Sequence, residues 1–159
     1  MIDFNVFQVN DSYFVLNDKN QWIVDAGIEF QFYKGYFTIG FSSDLEHISV
    51  QSVKFDKMYS DDNYVALDDI KSGKLKAFIG KKIEEATFKT LEFDEVIDYT
   101  MKTKKVSKLV EMILHFEGNQ TLQIALVNYD LVENEAPKNF RYNIINDILI
   151  SMNTIVKIN

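Results

Sequence analysis

Carboxylates are the most plentiful groups in this sequence that could do chemistry, and many of them cluster between residues 61 and 98. A glycosidase uses two such groups across a cleft, but spacing along a chain does not fix a distance across a cleft. A calcium loop needs acidic residues at alternate positions, a central glycine and a terminal glutamate, and no cluster has this form. The clusters therefore indicate a charged surface, either a solvated acidic face or a docking face.

Tyrosines are interleaved with these carboxylates, a combination typical of protein-binding surfaces. Tyrosine supplies rigid contact area at a low entropic cost. A net charge of -7 also attracts a basic protein partner over a long range. We therefore predict a partner-binding face that contains Tyr59, Asp61, Asp62, Tyr64, Asp68, Asp69, Glu92, Asp94, Glu95, Asp98 and Tyr99.

The residues that nucleophilic or metal-assisted catalysis requires are scarce. The sequence has no cysteine and two histidines, and neither His47 nor His115 has a second ligand at metal-binding spacing. It contains no GxSxG nucleophile elbow and no glycine-rich phosphate loop. The sequence therefore predicts a protein that is not an enzyme and that carries no metal and no cofactor.

The basic residues argue against a nucleic-acid ligand. All but one of the 17 are lysines, and Arg141 is the single arginine. Phosphate and base recognition needs clustered cations and favours arginine. The one basic patch, at Lys102, Lys104, Lys105 and Lys108, is short, so we interpret residues 102–108 as a solvated polar connection.

The hydrophobic pattern favours antiparallel hairpins. Apolar residues alternate over 28–32 and again over 37–41, with a bend at Gly35, and over 110–116 and 122–126, with a turn at 118–119. Residues 66–82 predict a short helix. The filling of 143–158 with Ile, Asn, Val and Thr favours strand narrowly over helix. We predict a mainly β or α+β fold whose hairpins form a sandwich or a partly closed barrel.

The length of 159 residues predicts a single domain, 1–159. The two clearest hairpins can be aligned, as a duplication of units 1–56 and 83–159 would produce, although the shared period of two also generates such a match by chance. The first residues show no basic start followed by an apolar run, and no apolar stretch is long enough to span a membrane. We therefore expect a soluble, cytoplasmic protein; its oligomeric state stays open.

One pattern resembles a known group of proteins. Residues 79–83, the strand at 110–116, the turn at 118–119, the segment 122–124 and the segment 147–151 are similar to small bacterial β-rich proteins, several of which are immunity partners of secreted polymorphic toxins. The resemblance covers residues 79–151 and transfers no site residue. It implies an inhibitor that occludes a basic protein partner through the acidic, tyrosine-bearing face. The alternative is a small β-barrel carrier of an apolar ligand lined by the many phenylalanines.

Overall fold

The computed structural model describes residues 3–8, 14–16, 20–41, 48–58, 64–67, 74–97, 102–132, 136–144 and 147–159. Within these ranges the chain forms twelve strands: β1 (Asp3–Gln8), β2 (Phe14–Leu16), β3 (Gln21–Val24), β4 (Gly27–Phe32), β5 (Gly35–Phe41), β6 (Ile48–Gln51), β7 (Val65–Ala66), β8 (Ile83–Val96), β9 (Thr103–Phe116), β10 (Gln120–Asp130), β11 (Lys138–Tyr142) and β12 (Asp147–Met152). A one-turn α-helix, α1 (Phe55–Met58), and a 3-10 helix, Lys74–Phe78, complete the described elements.

The strands form two antiparallel sheets that face each other as a sandwich, and neither sheet closes into a barrel in the described part of the chain. The first sheet has the strand order β6-β5-β4-β1-β7. The second has the order β2-β3-β12-β10-β9-β8, with β11 also paired to β10. The predicted β-rich fold is therefore confirmed, and the sandwich is the form it takes.

A hydrophobic core fills the space between the two sheets. Its buried members come from both sheets and from the 3-10 helix: Phe4, Val6, Ile28, Phe30 and Ile39 from the first sheet; Trp22, Met112, Leu114, Phe116, Leu122, Ile124, Ile148 and Ile150 from the second; and Leu75 and Phe78 from the 3-10 helix. Alternate residues of each strand point to this core because successive side chains of a strand face opposite sides of the sheet. The period of two in the sequence thus reports the inward faces of β4, β5, β9 and β10.

The second sheet is also covered on its outer side, by the C-terminal segment. Ile158 packs in a separate buried cluster with Ile23, Ala125, Val127 and Leu149. The backbone of Asn159 exchanges hydrogen bonds with β11: its N–H donates to Phe140 O and its carbonyl accepts from Tyr142 N. The strands β3, β10 and β12 therefore present apolar residues on both faces, whereas a strand buried on one face alternates apolar and polar residues.

The helix α1 packs on the first sheet at two glycines, whose missing side chains leave room for an aromatic ring. Gly27 and Gly40 are paired across β4 and β5, and the ring of Phe55 lies over both of them. The same ring stacks on Phe7 at 4.2 Å. The buried Glu29 carboxylate accepts hydrogen bonds from Phe55 N (2.7 Å) and Asn5 Nδ2 (3.1 Å).

Gly27→Ala should destabilise the protein by about 1–3 kcal/mol, the usual cost of overpacking a filled core. A Cβ at this position would lie 2.6 Å from the carbonyl oxygen of Ile39 and 2.7 Å from Phe55 Cε2. The backbone oxygen cannot move without disturbing the β4–β5 ladder. Urea unfolding measures the effect, and an unchanged midpoint would contradict this packing.

Two segments differ from the sequence-based expectations. Residues 102–108 are not a polar connection, because β9 begins at Thr103 and pairs with β8. In the sequence, Val53 and Phe55 are out of phase with the alternation over 48–52, which indicates a bulge, but in the structure Phe55 begins the helix α1. Within the predicted short helix at 66–82 the structure has the 3-10 helix, Lys74–Phe78. Within 143–158, Asp147–Met152 form the strand β12, as favoured, whereas residues 153–158 form neither strand nor helix.

Candidate protein-interaction surface

A long hairpin projects from one side of the second sheet. The strands β8 and β9 have 14 residues each, a length of about 46 Å at 3.3 Å per residue. The neighbouring strand β10 pairs with β9 from Glu111 to Phe116. Residues 90–97 and 102–109 therefore extend beyond the sheet as a two-stranded arm, which we call the arm.

Opposite charges on facing strands hold the arm together. Asp94 is paired with Lys105 and Glu95 with Lys104 in the register of the hairpin, and their ion-pair distances are 2.9 Å and 3.1 Å. Lys108 Nζ also lies 3.8 Å from Glu95 Oε1. The hydrogen bond to Asp94, and then the charge of Asp94, raise the pKa of Lys105. Such exposed pairs contribute little stability each, but they fix the register of the two strands.

The strand β8 forms the edge of the second sheet. Among the described residues it pairs with β9 alone. From Glu84 to Thr90 its side chains are exposed on both faces. Phe88 faces the core side, since it is paired with the buried Met112, yet it is 56% exposed. The first sheet therefore does not reach across to β8, and this strand overhangs the sandwich.

The side chains of β8 are mainly acidic. The strand carries five carboxylates, at Glu84, Glu85, Glu92, Asp94 and Glu95, and one lysine, Lys89. Asp94 and Glu95 are bound by lysines of β9. No ion pair engages Glu84, Glu85 or Glu92 within the described residues. Three carboxylates on this edge are thus open to a cation from outside.

A polar groove of about 380 Å³ lies at the start of β8. Glu84, Glu85, His115, Gln120 and Thr121 are among the residues that line it. The Oε1 atom of Gln120 is buried and accepts no hydrogen bond. A groove lined by carboxylates suits a cationic group such as a lysine or arginine side chain.

The base of the arm is anchored on the outer face of the second sheet. Glu111 accepts hydrogen bonds from Gln123 Nε2 (2.5 Å) and Tyr142 OH (2.9 Å), and Gln123 also bonds the backbone of Val156. Lys89 Nζ lies 4.1 Å from the centre of the Tyr142 ring. Burial, followed by the bond to Glu111, raises the pKa of Tyr142. The network ties β8 and β9 to the C-terminal segment.

A second carboxylate on this face is held by a tyrosine. Tyr129 OH donates to Asp147 Oδ2 at 2.5 Å. Burial raises the pKa of Asp147, and the charge of Asp25 adds to the rise, while the bond from Tyr129 opposes it. Glu111 and Asp147 are each engaged by a tyrosine hydroxyl, so a role in positioning the outer layer accounts for both.

The raised pKa of Asp147 predicts a pH-dependent stability difference from Asp147→Asn. The folded state binds the proton more tightly than the unfolded state, so the ionised carboxylate destabilises the fold as pH rises above 3.8. Stability of the native protein relative to Asp147→Asn should therefore fall as pH rises from about 3.8 through the raised pKa of Asp147. Urea unfolding of both proteins across this range measures the difference.

Tyr129→Phe provides the control for this prediction. It removes the hydrogen bond that lowers the pKa of Asp147, so the decline in stability with pH should become steeper than in the native protein. A stability difference between the native protein and Asp147→Asn that does not change with pH would contradict the assignment.

The structure places the predicted docking residues in two separate locations. Glu92, Asp94 and Glu95 lie on the arm. Tyr64 directly precedes β7 and is half-buried against the first sheet, edge-on to the rings of Phe7 (5.4 Å) and Phe55 (4.8 Å). Tyr64 is therefore part of a packed aromatic cluster and is not brought beside the carboxylates of the arm. The other predicted residues, Tyr59, Asp61, Asp62, Asp68, Asp69, Asp98 and Tyr99, lie outside the described residues.

Several residues of this surface were missed by the sequence analysis. The lysines of β9 were interpreted as a solvated connection, although each takes part in an ion pair with β8. Phe88 is absent from the predicted docking face, although the structure leaves it 56% exposed on β8. One signal was present in the sequence: Asp94 and Glu95 on one side, and Lys104 and Lys105 on the other, are placed symmetrically about residues 99 and 100, as an antiparallel register requires.

One pocket between the two sheets is too small to hold an apolar ligand of the kind that a carrier protein binds. That pocket is lined by Ile39, Val110, Met112, Ile124 and Leu126, among others, and has a volume of about 10 Å³. A space of this size holds about one water molecule. Within the described ranges, no group of three or more His, Asp or Glu side chains is arranged to hold a metal ion.

These observations define a β-sandwich protein with a projecting, acidic-edged hairpin. Comparison with protein-family models, with curated proteins and with solved structures finds no match to this chain. In the described part of the chain, no helix is long and apolar enough to cross a membrane.

Proposed function

We propose that this chain is a non-enzymatic binding protein that captures a basic protein partner through the arm and the acidic edge of β8. The observation that carries the proposal is the exposed strand itself, with five carboxylates and one lysine on 14 residues. These charges are part of a net charge of -7. Charge complementarity of this kind steers association and speeds capture.

Glu92 is the residue through which this proposal is most directly tested. It lies in the middle of the arm, exposed, and is paired with Ser107 rather than with a lysine. Asp94 and Glu95 beside it are already partly neutralised by β9. The polar groove at Glu84 and Glu85 supplies a second set of acceptors on the same strand. A partner that spans β8 would meet both.

The shape of the arm favours an inhibitor. A narrow element that projects from a rigid body can enter a concave surface, as long loops of binding proteins do. An enzyme that acts on nucleic acid has a concave, basic active site, because phosphate binding requires clustered cations. We therefore propose an immunity-type inhibitor that acts in the cytoplasm and occludes such a site. The acidic arm takes the place of the phosphate backbone.

A capture experiment with matched charge variants tests this function. Tagged native protein, Glu92→Lys and Asp56→Lys are incubated with lysate of the source cells and washed at low and then at high salt. Both variants change the charge by the same amount, but Asp56 lies on α1, which packs on the first sheet. Circular dichroism and urea unfolding verify that both variants fold.

The expected result is one basic protein in stoichiometric amount, retained by the native protein and by Asp56→Lys. Capture by Glu92→Lys should be at least about tenfold weaker, a difference of about 1.4 kcal/mol. Salt should release the partner, since the screening length falls from about 10 Å at 0.1 M to about 3 Å at 1 M. Equal capture by both variants, or no captured protein at either salt, would overturn the proposal.

A further inference from the structure

We infer that the partner binds as an additional strand on the free edge of β8, through an extended segment whose side chains alternate between basic and apolar. This inference rests on the proposed function and specifies the recognition mode of the same surface. Addition of a strand supplies main-chain hydrogen bonds for affinity, while alternate side chains give specificity.

The free edge is long and regular where it projects. From Thr90 to Val96 the pairing of β8 with β9 runs without a bulge, whereas shifts occur nearer the core, between Ile83 and Glu85 and between Lys89 and Thr90. Exposed edge strands present unpaired N–H and C=O groups, and proteins usually shorten, bulge or cover them. Over these seven residues no described strand other than β9 pairs with β8, so this regular edge is a site for strand addition.

Within this stretch, the side chains of residues 91–94 alternate between two types, and Glu95 and Val96 reverse the order. Leu91 and Phe93 lie on one face of β8, and Glu92 and Asp94 lie on the other. The neighbouring strand β9 already matches this pattern, with Val106 beside Phe93 and Lys105 beside Asp94. A strand on the open side of β8 meets the same alternation, so its best complement also places an apolar residue beside Phe93 and a cation beside Glu92 or Asp94.

A second copy of this chain is a poor occupant of the edge. Two β8 strands side by side would each bring five carboxylates and one lysine to the contact. Like charges directly opposite each other destabilise a strand pair. The charge pattern therefore selects a basic segment of another protein over self-association.

Peptide binding separates strand addition from attraction by charge alone. The probe is a peptide of about nine residues in which lysine and valine alternate. Its control has the same charge but carries proline at the central valines, so it cannot pair along an edge. Affinities are measured by fluorescence anisotropy for the native protein, Glu92→Lys and Asp56→Lys. Hydrogen exchange by NMR, with and without peptide, reports the protection of β8 amides.

Strand addition predicts binding of the alternating peptide at least about tenfold tighter than that of the proline peptide, with new protection confined to amides of β8. Glu92→Lys should weaken binding by about tenfold, and Asp56→Lys should not. Equal affinities for the two peptides, or no added protection in β8, would overturn the inference. The proposed function would still stand in that case if capture of the basic partner depended on Glu92.

Analytical ultracentrifugation of the native protein alone tests whether a second copy of this chain occupies the edge of β8. A monomer agrees with the inference. A dimer in which the β8 amides are protected from exchange would overturn it, since the edge would then be occupied by another copy of this chain.

Discussion

Replacing Phe116 with alanine should lower the free energy of unfolding by about 3–5 kcal/mol, the usual cost of removing a buried phenylalanine side chain. Phe116 is 1% exposed and its ring meets that of Phe78 at 4.7 Å in an edge-on arrangement. It also ends β9, where it is paired with both Ile83 and Gln120. The substitution therefore opens a cavity at the junction of the long hairpin, β10 and the 3-10 helix.

Phe88→Ala is the matched control on the same hairpin. Phe88 is 56% exposed, so its truncation removes little buried area and should cost less than about 1 kcal/mol. Urea unfolding of the two variants gives the comparison. Similar losses from both substitutions would contradict the view that β8 overhangs the core.

The hairpins of the core could be predicted because their alternation is a local property. Each inward-facing residue of β4, β5, β9 and β10 lies two positions from the next, and burial between two sheets imposes that period wherever one face is covered. The C-terminal strands were also predictable from composition. Their covering by the chain end was not, because the contact of Ile158 with Ile23 joins residues that are distant in sequence.

The arm was missed because hydrophobic periodicity reports burial, and neither face of the arm is buried in the core. Residues 102–108 contain one apolar residue, Val106, among polar ones, so their composition is that of a polar loop. The identity of a strand there depends on its register with β8, and the charges of Asp94 and Lys105 encode that register. The symmetry of these charges about residues 99 and 100 of the sequence was the available signal, and hydropathy does not contain it.

The location of α1 depends on a contact that no local pattern shows. Phe55 is out of phase with the preceding strand, which a bulge would also produce. The ring lies over Gly27 and Gly40 because two strands bring those glycines together. The candidate site met the same difficulty. Tyr64 and Glu92 were assigned to one surface because of the sequence pattern, but Tyr64 packs against the first sheet and Glu92 lies on the arm.

Removing the arm should abolish partner binding while leaving the fold in place. The deletion removes residues 91–108 and joins Thr90 to Leu109, which are paired in the hairpin, through Asn-Gly, the preferred two-residue hairpin turn. No deleted residue belongs to the buried core clusters among the described residues. We expect the free energy of unfolding to change by less than about 1 kcal/mol, because surface changes are usually small.

Binding of the basic partner should weaken by at least about 100-fold in this variant, or about 2.7 kcal/mol, because the central carboxylates of the acidic edge are gone. The double substitution D94K/K105D is the control for charge: it keeps the length of the arm, the ion pair and the net charge, but it places a cation on β8. It should also weaken binding, since like charges would then face each other at the edge. Full retention of the partner by the shortened chain would place the binding surface elsewhere on the sandwich. If the shortened chain does not fold, the D94K/K105D variant alone tests the prediction. Unchanged binding by this variant would contradict the view that the partner requires a negative charge at position 94.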